Sequence, residues 1–118
     1  METKREKGAR GEDRALKFLL EKGYTLLGRN VRIGRDELDL IMLDGACVVF
    51  VEVKARTGIA YGLPCEAVDA RKQAHMTRAA LAFLQKRGAD TAARFDVAEV
   101  DLVTGAIRHI ENAFMARA

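Results

Sequence analysis

Little in this sequence could staple a fold covalently or anchor it in a membrane. Two cysteines, Cys47 and Cys65, are too few for a disulfide framework and lack the paired spacing of a metal site. Cys47 lies in an apolar run and reads as a small core residue, and Cys65 reads as an inert thiol. The two histidines are scattered, so no zinc constellation can be assembled from them and the cysteines. The longest apolar run, Ala46 to Val51, falls far short of the roughly 20 residues that a membrane helix needs. The opening METKREKGARGEDRA lacks the apolar core of a signal peptide, so a cytoplasmic location with no membrane partner is expected. No GxxxxGK loop supports nucleoside-triphosphate binding. Repeats, low-complexity tracts and linkers are also missing, and one domain spanning residues 1–118 is the expectation.

What is present is an ordinary globular balance, 49% hydrophobic and 31% charged, with an uneven distribution of charge. Residues 1–35 carry ten Lys/Arg against five Asp/Glu, residues 36–70 two against seven, and residues 71–118 eight against five. An acidic middle between basic flanks suits a polyanion-binding protein that holds a cation in an acidic pocket, although a net charge of +3 also fits many proteins with no such partner.

Periodicity predicts a helix from about Gly8 to Lys22, with Ala15, Leu16, Leu19 and Leu20 inward. Glu12 falls on the same inward stripe, an unusual place for a carboxylate unless a charged partner waits in the interior. An extended segment over Tyr24 to Ile33, a turn at Gly34-Arg35-Asp36 and a strand over Leu38 to Leu43 follow. Asp44-Gly45 reads as a two-residue hairpin turn leading into Ala46 to Lys54, whose continuous Val/Phe run suits the centre of a sheet covered on both faces. Residues 55–65, with two glycines and a proline, are expected to be a loop. A helix over Glu66 to Arg87 has Val68, Met76, Ala79, Ala80, Phe83 and Leu84 inward, together with Lys72 at i, i+4 from both Val68 and Met76. Strands over Arg94 to Val100 and Ile107 to Ile110 complete the order. The expected architecture is α/β, an antiparallel meander of three strands extended through a helical crossover, with helices covering a mixed sheet of about five strands.

Asp39 is the one charged residue within LDLIML, and Glu52 and Lys54 end VVFVEVK. Residues two apart on a strand share a face, roughly 6–7 Å apart. With Asp44-Gly45 as the turn, Leu43 pairs with Ala46 and Asp39 with Phe50, so Asp39 lies diagonal to Glu52 on one face. Two carboxylates in an apolar sheet repel and lose hydration unless something positive lies between them. Mg²⁺ or Mn²⁺ suits that need, because such an ion keeps several waters and asks the protein for few oxygens: here Asp39, Glu52 and a backbone carbonyl such as that of Val53. Lys54 would then hold or help deprotonate an attacking water. The same residues could equally form a buried ion-pair cluster that specifies the sheet, and spacing alone leaves both readings open.

The segments E37-L-D-L-I and V49-F-V-E-V-K-A-R56, with Gly62, Val68, Lys72 and R94-F-D-V-A98, resemble the signature of the YraN-like family of small bacterial proteins. G8-A-R-G-E-D-R-A15, Gly23-Tyr24 and Arg29-Asn30 resemble it too, so nearly the whole chain is covered. That family is similar to the PD-(D/E)xK nucleases, especially Holliday-junction resolvases, which implies a restriction-endonuclease-like core. The resemblance places the first acidic position on Asp39, the (D/E)xK element on Glu52-Val53-Lys54 and the acid of the first helix on Glu12, a further candidate metal ligand. It sets Lys72 beside the carboxylates or the scissile phosphate. One departure is Asp36, where the family more often has glycine.

The implied function is a Mg²⁺- or Mn²⁺-dependent endonuclease acting on DNA, including branched or damaged DNA, with RNA left open and a homodimer as a candidate assembly. The alternative is a nucleic-acid-binding module of nuclease fold with little or no turnover. Candidate phosphate contacts are Arg56, Lys72, Arg29 and Arg32. Glu37 has the wrong parity to assist Asp39, His75 reads as a surface or supporting residue, and Tyr24 and Tyr61 are isolated aromatics.

Overall fold

A computed structural model describes residues 1–57, 68–88 and 90–117. The elements run α1 (Lys4–Glu21), β1 (Thr25–Ile33), β2 (Asp36–Asp44), β3 (Cys47–Arg56), α2 (Ala70–Arg87), β4 (Ala93–Asp101) and β5 (Ile107–Phe114), in the expected order. Helix α1 starts earlier than its apolar stripe because Thr3 and Glu6 form a capping box. The Thr3 hydroxyl accepts from the Glu6 amide, and the Glu6 carboxylate accepts from the Thr3 amide, each at 3.1 Å. Helix α2 starts later than Glu66, since Asp69 is extended and caps it by accepting from the Lys72 amide at 2.8 Å. Val68 is therefore buried just ahead of the helix rather than on it. Ala55 and Arg56 belong to β3, not to the expected loop. From residue 58 to 67 that loop, with Tyr61, Gly62 and Cys65, lies outside the described residues.

The sheet order is β1-β2-β3-β4-β5. The first three strands are an antiparallel meander, β4 joins β3 in parallel, and β5 returns antiparallel to β4. The parallel step requires a crossover, which α2 supplies. Two apolar clusters cover the faces. Ala15 and Leu19 of α1 pack with Leu40, Met42, Val49, Val51, Ala98 and Val100, whereas Met76, Ala79 and Ala80 of α2 pack with Ile41, Val48, Phe50, Phe95 and Val97. The alternation Val48/Phe50 against Val49/Val51 shows why β3 reads as a continuous apolar run: each face has its own helix. This is an α/β fold with a mixed five-stranded sheet between helices, matching a restriction-endonuclease-like core. Gly11 brings α1 hard against the sheet, because a Cβ there would come within 2.4 Å of the Ala55 Cβ. Among the described residues no helix is long and apolar enough to cross a membrane.

Candidate metal centre

The β2–β3 hairpin closes on Asp44 and Cys47, not on Leu43 and Ala46. Its two turn residues are Gly45 and Ala46, with positive φ (59°) at Gly45 alone, the pattern of a type II′ turn rather than I′. This corrects the expected register by two positions and, from Leu40 to Val51, leaves the side chains on their expected faces. Carried one step beyond the last ladder pair, Leu40–Val51, this register sets Asp39 opposite Glu52 instead of diagonal to it, and the two carboxyls come within hydrogen-bonding reach. Beyond that pair the two strands part, and the Asp39 carboxylate takes the place of a ladder acceptor by receiving the Val53 amide at 2.9 Å. The N–H and C=O of one strand residue leave the same edge, so the Val53 carbonyl also points toward this opening.

A second irregularity opens the site to both layers. Leu38 and Ile41 both pack on the α2 side while Leu40 packs on the α1 side, so strict alternation breaks around Asp39. The neighbouring strand breaks at the matching place: Asn30, between the pairs Arg29–Leu40 and Val31–Leu38, has a φ of 50°. Asparagine tolerates that left-handed conformation better than most residues. Its side chain bonds Glu12, which descends from α1 to within electrostatic reach of Asp39.

Burial dominates the electrostatics. The Asp39 carboxyl is pushed up to about 8, first by loss of hydration and then by its hydrogen bond to, and repulsion from, Glu52, while the Val53 amide and Lys72 work in the opposite direction. Glu12 is also raised, by burial and then by the charge of Asp39, against the bonds from Asn30 and Arg29. Lys72 reaches Glu52 from the first turn of α2 at 3.5 Å. A lysine at a helix N-terminus opposes the helix dipole, so the Glu52 contact gives that placement a compensating partner. Lys54, by the alternation that puts Phe50 on the α2 side, shares the face of Glu52. Among the described residues no three His, Cys, Asp or Glu side chains stand close enough to hold an ion by themselves. Two carboxyls hydrogen-bonded to each other beside a backbone carbonyl still suit Mg²⁺, which binds through one or two carboxylates plus waters and phosphate oxygens.

The other expected site residues are dispersed. Arg29 is committed to α1, bonding Glu12 at 3.3 Å, Asp13 at 2.6 Å and the Ala9 carbonyl at 3.1 Å, so it braces Glu12. Arg32 is exposed on β1 and pairs with Glu37 at 3.5 Å. Arg56 ends β3 half-buried, and its carbonyl accepts from the Leu102 amide. His75 approaches Asp36 at 4.0 Å.

Two arrangements escaped sequence reasoning. Asp36 is buried and clamped by both arms of Arg78 at 2.8 and 2.9 Å, which ties the start of β2 to α2 and holds that carboxyl below its usual range. At the other end of the sheet, fully buried Asp96 accepts from Arg94, from His109 at 2.8 Å and from the Asn112 amide at 3.0 Å. The motif R94-F-D-V-A98 contained two of these residues. Nothing in its spacing showed that His109 from the next strand would complete the group.

A model of the family described as "Uncharacterised protein family UPF0102" matches residues 11–100. The chain belongs to the UPF0102 family. A UPF0102 protein of Symbiobacterium thermophilum is 45% identical over 113 residues, covering 92% of this chain and 96% of the relative. One from Chlorobium phaeobacteroides is 44% identical, covering 92% and 93%, and one from Pseudomonas paraeruginosa is 44% identical, covering 95% and 94%. The YraN-like resemblance of the motifs is thereby shown as membership of the UPF0102/YraN-like family. Glu12, Asp39, Glu52, Lys54 and Lys72 all fall inside the matched UPF0102 segment.

The raised Asp39 carboxyl gives this UPF0102 chain a measurable pH signature. Its folded value of about 8 lies above its ordinary 3.8, so between them the folded chain holds a proton that the unfolded chain has lost. Stability from this group is therefore present at low pH, falls as pH rises from about 4 to about 8, and is level above that. A cation competes with that proton. The rise in melting temperature caused by Mn²⁺ is expected to be larger at about pH 8 than at about pH 5.5, as differential scanning fluorimetry would show.

Proposed function

We propose that this protein is a Mg²⁺- or Mn²⁺-dependent endonuclease that hydrolyses DNA phosphodiester bonds, with branched or damaged DNA as its substrate class. The carrying observation is the juxtaposition of Asp39 and Glu52 where β2 and β3 part, with Asp39 forced toward its protonated form in the absence of a cation. Asp39, Glu52 and the Val53 carbonyl would hold the ion, with Glu12 near enough to engage its waters. When bound, such an ion polarises a phosphoryl oxygen and makes water a better nucleophile.

The chain's own residues supply the rest. Lys72 offsets the charge of Glu52. Arg29 and Asn30 hold Glu12 toward Asp39. Lys54 orients the attacking water and offsets the negative charge that develops on the phosphoryl group. Water attacks phosphorus in line and gives up one proton to the surrounding solvent, the bond to the leaving oxygen breaks, and that oxygen takes up a proton from solvent.

Calorimetric titration with Mn²⁺ and gel assays on duplex, single-stranded and four-way-junction DNA test the reading. The unsubstituted chain should bind Mn²⁺, E52Q should lose that binding, and K54A should keep it while cleavage falls roughly 10²–10⁴-fold. DNA binding without metal-dependent cleavage would favour a module that binds and does not cut. Absence of both Mn²⁺ binding and cleavage on all three substrates would sink the proposal.

A further inference from the structure

Helix α1 contains two glycines whose surroundings differ. Gly11 is required by packing, since a Cβ would collide with Ala55. Gly8 is not: a Cβ built there meets nothing within 4 Å. Glycine in a helix interior is less stable than alanine because it loses more backbone freedom on folding, and nothing in the packing around Gly8 compensates. The space beside it is a polar cavity of about 460 Å³ whose lining sets two arginines, Arg5 and Arg32, against two carboxylates, Glu12 and Glu37, with Gly8, Ala9 and Asn30 between them. Glu12 and Asn30 are the wall it shares with the metal centre. Arg5 has no carboxylate within salt-bridge reach among the described residues, and Arg32 pairs at 3.5 Å with the exposed Glu37 of the same lining, a contact that solvent and a competing anion can displace.

We propose that this cavity seats the sugar–phosphate backbone of the DNA strand next to the phosphate being cut, with Arg5 and Arg32 on its phosphates and Gly8 bare so that the strand can lie against α1. Bare backbone is what a bulky, charged chain needs in order to come close to a helix, and arginine forks match phosphate oxygens. The inference rests on the nuclease reading for the identity of the strand. It assigns that strand a path along the α1 side of the site, away from Lys54 and Lys72 on the α2 side.

The test measures fluorescence anisotropy of a labelled four-way junction and a labelled duplex, in EDTA and again in Ca²⁺, with Mn²⁺ affinity measured separately by calorimetry. G8A should melt higher than the unsubstituted chain. G8L should stay folded, keep Mn²⁺ affinity within about twofold, and bind both DNAs at least about tenfold more weakly, the equivalent of about 1.4 kcal/mol. R5A should weaken binding of both DNAs alike and make the salt dependence shallower by about one ion. A folded G8L with unchanged DNA affinity overturns the inference while Mn²⁺ binding leaves the metal reading standing. Weakened DNA binding in G8L, in a chain that takes up no Mn²⁺, supports the cavity and removes the metal. A chain that binds neither DNA in either buffer overturns the cavity.

Discussion

The variant D39N is expected to melt at a higher temperature than the unsubstituted chain and to take up no divalent cation. Asparagine is nearly the size of aspartate and can keep both local bonds. Its carbonyl oxygen accepts the Val53 amide, as the Asp39 carboxylate does at 2.9 Å, and its amide donates to Glu52. What disappears is a half-buried carboxyl held away from its ordinary ionisation by lost hydration and by Glu52. The gain should be about 0.5–2 kcal/mol, roughly 2–8 °C for a chain of this size, and it should grow from pH 5.5 toward pH 8 as the unsubstituted chain weakens. Thermal melts with and without Mn²⁺ read both effects. A lower melting temperature for D39N would mean that Asp39 and Lys72 act as a stabilising ion pair, the rival to a metal centre, because only then does neutralising the carboxyl remove a favourable interaction.

The opposite sign is expected at the other end of the sheet, where D96A should be among the most destabilising single changes in the molecule. Asp96 is fully buried and accepts from Arg94 at 3.0 Å, His109 at 2.8 Å and the Asn112 amide at 3.0 Å. Around it Arg94 also bonds Asp44 at 3.0 Å and the Tyr24 hydroxyl at 2.8 Å, and Lys22 approaches the outer nitrogen of His109 at 2.9 Å. Removing the carboxylate leaves a guanidinium, an imidazole and a backbone amide facing a cavity, a loss of about 3–5 kcal/mol. Urea unfolding should show the midpoint falling accordingly, and Mn²⁺ binding should survive wherever the variant remains folded. Burial pushes the Asp96 carboxyl up, but His109, Arg94 and the Asn112 amide outweigh it and hold it below 3.8. Its contribution is thus present above the ordinary carboxylate value and lost as pH falls through the lowered one, so D96A should also flatten the acid limb of the stability profile. An unfolding free energy within about 0.5 kcal/mol of the unsubstituted chain would show that water replaces the carboxylate without cost.

The contrast between these two carboxylates marks how far the sequence could be read. Asp39 and Glu52 stood out because each interrupts an apolar strand, and a strand has only two faces, so convergence followed even from a hairpin register that was wrong by two positions. Glu12 was legible for a similar reason: a carboxylate on an apolar helical stripe needs a partner. Asp96 sits in an equally apolar strand and gave no comparable signal, since its partners come from Arg94 on its own strand, from β5 and from an amide at Asn112. Arg29 was expected to contact phosphate and instead braces Glu12, beside a left-handed residue, Asn30, whose conformation no local pattern announces.

For the acidic site between β2 and β3, the sequence by itself determined which residues are inside and which face they share. Burial periodicity is a local property, and the lone charges within apolar strands are visible in it. The tertiary structure decided where the strands stop pairing, that Glu12 and Lys72 arrive from opposite layers, and how strongly Asp39 holds its proton. Those depend on turn geometry, on strand splay and on how much water the two helices exclude, and each of these is set by contacts between segments distant in the chain.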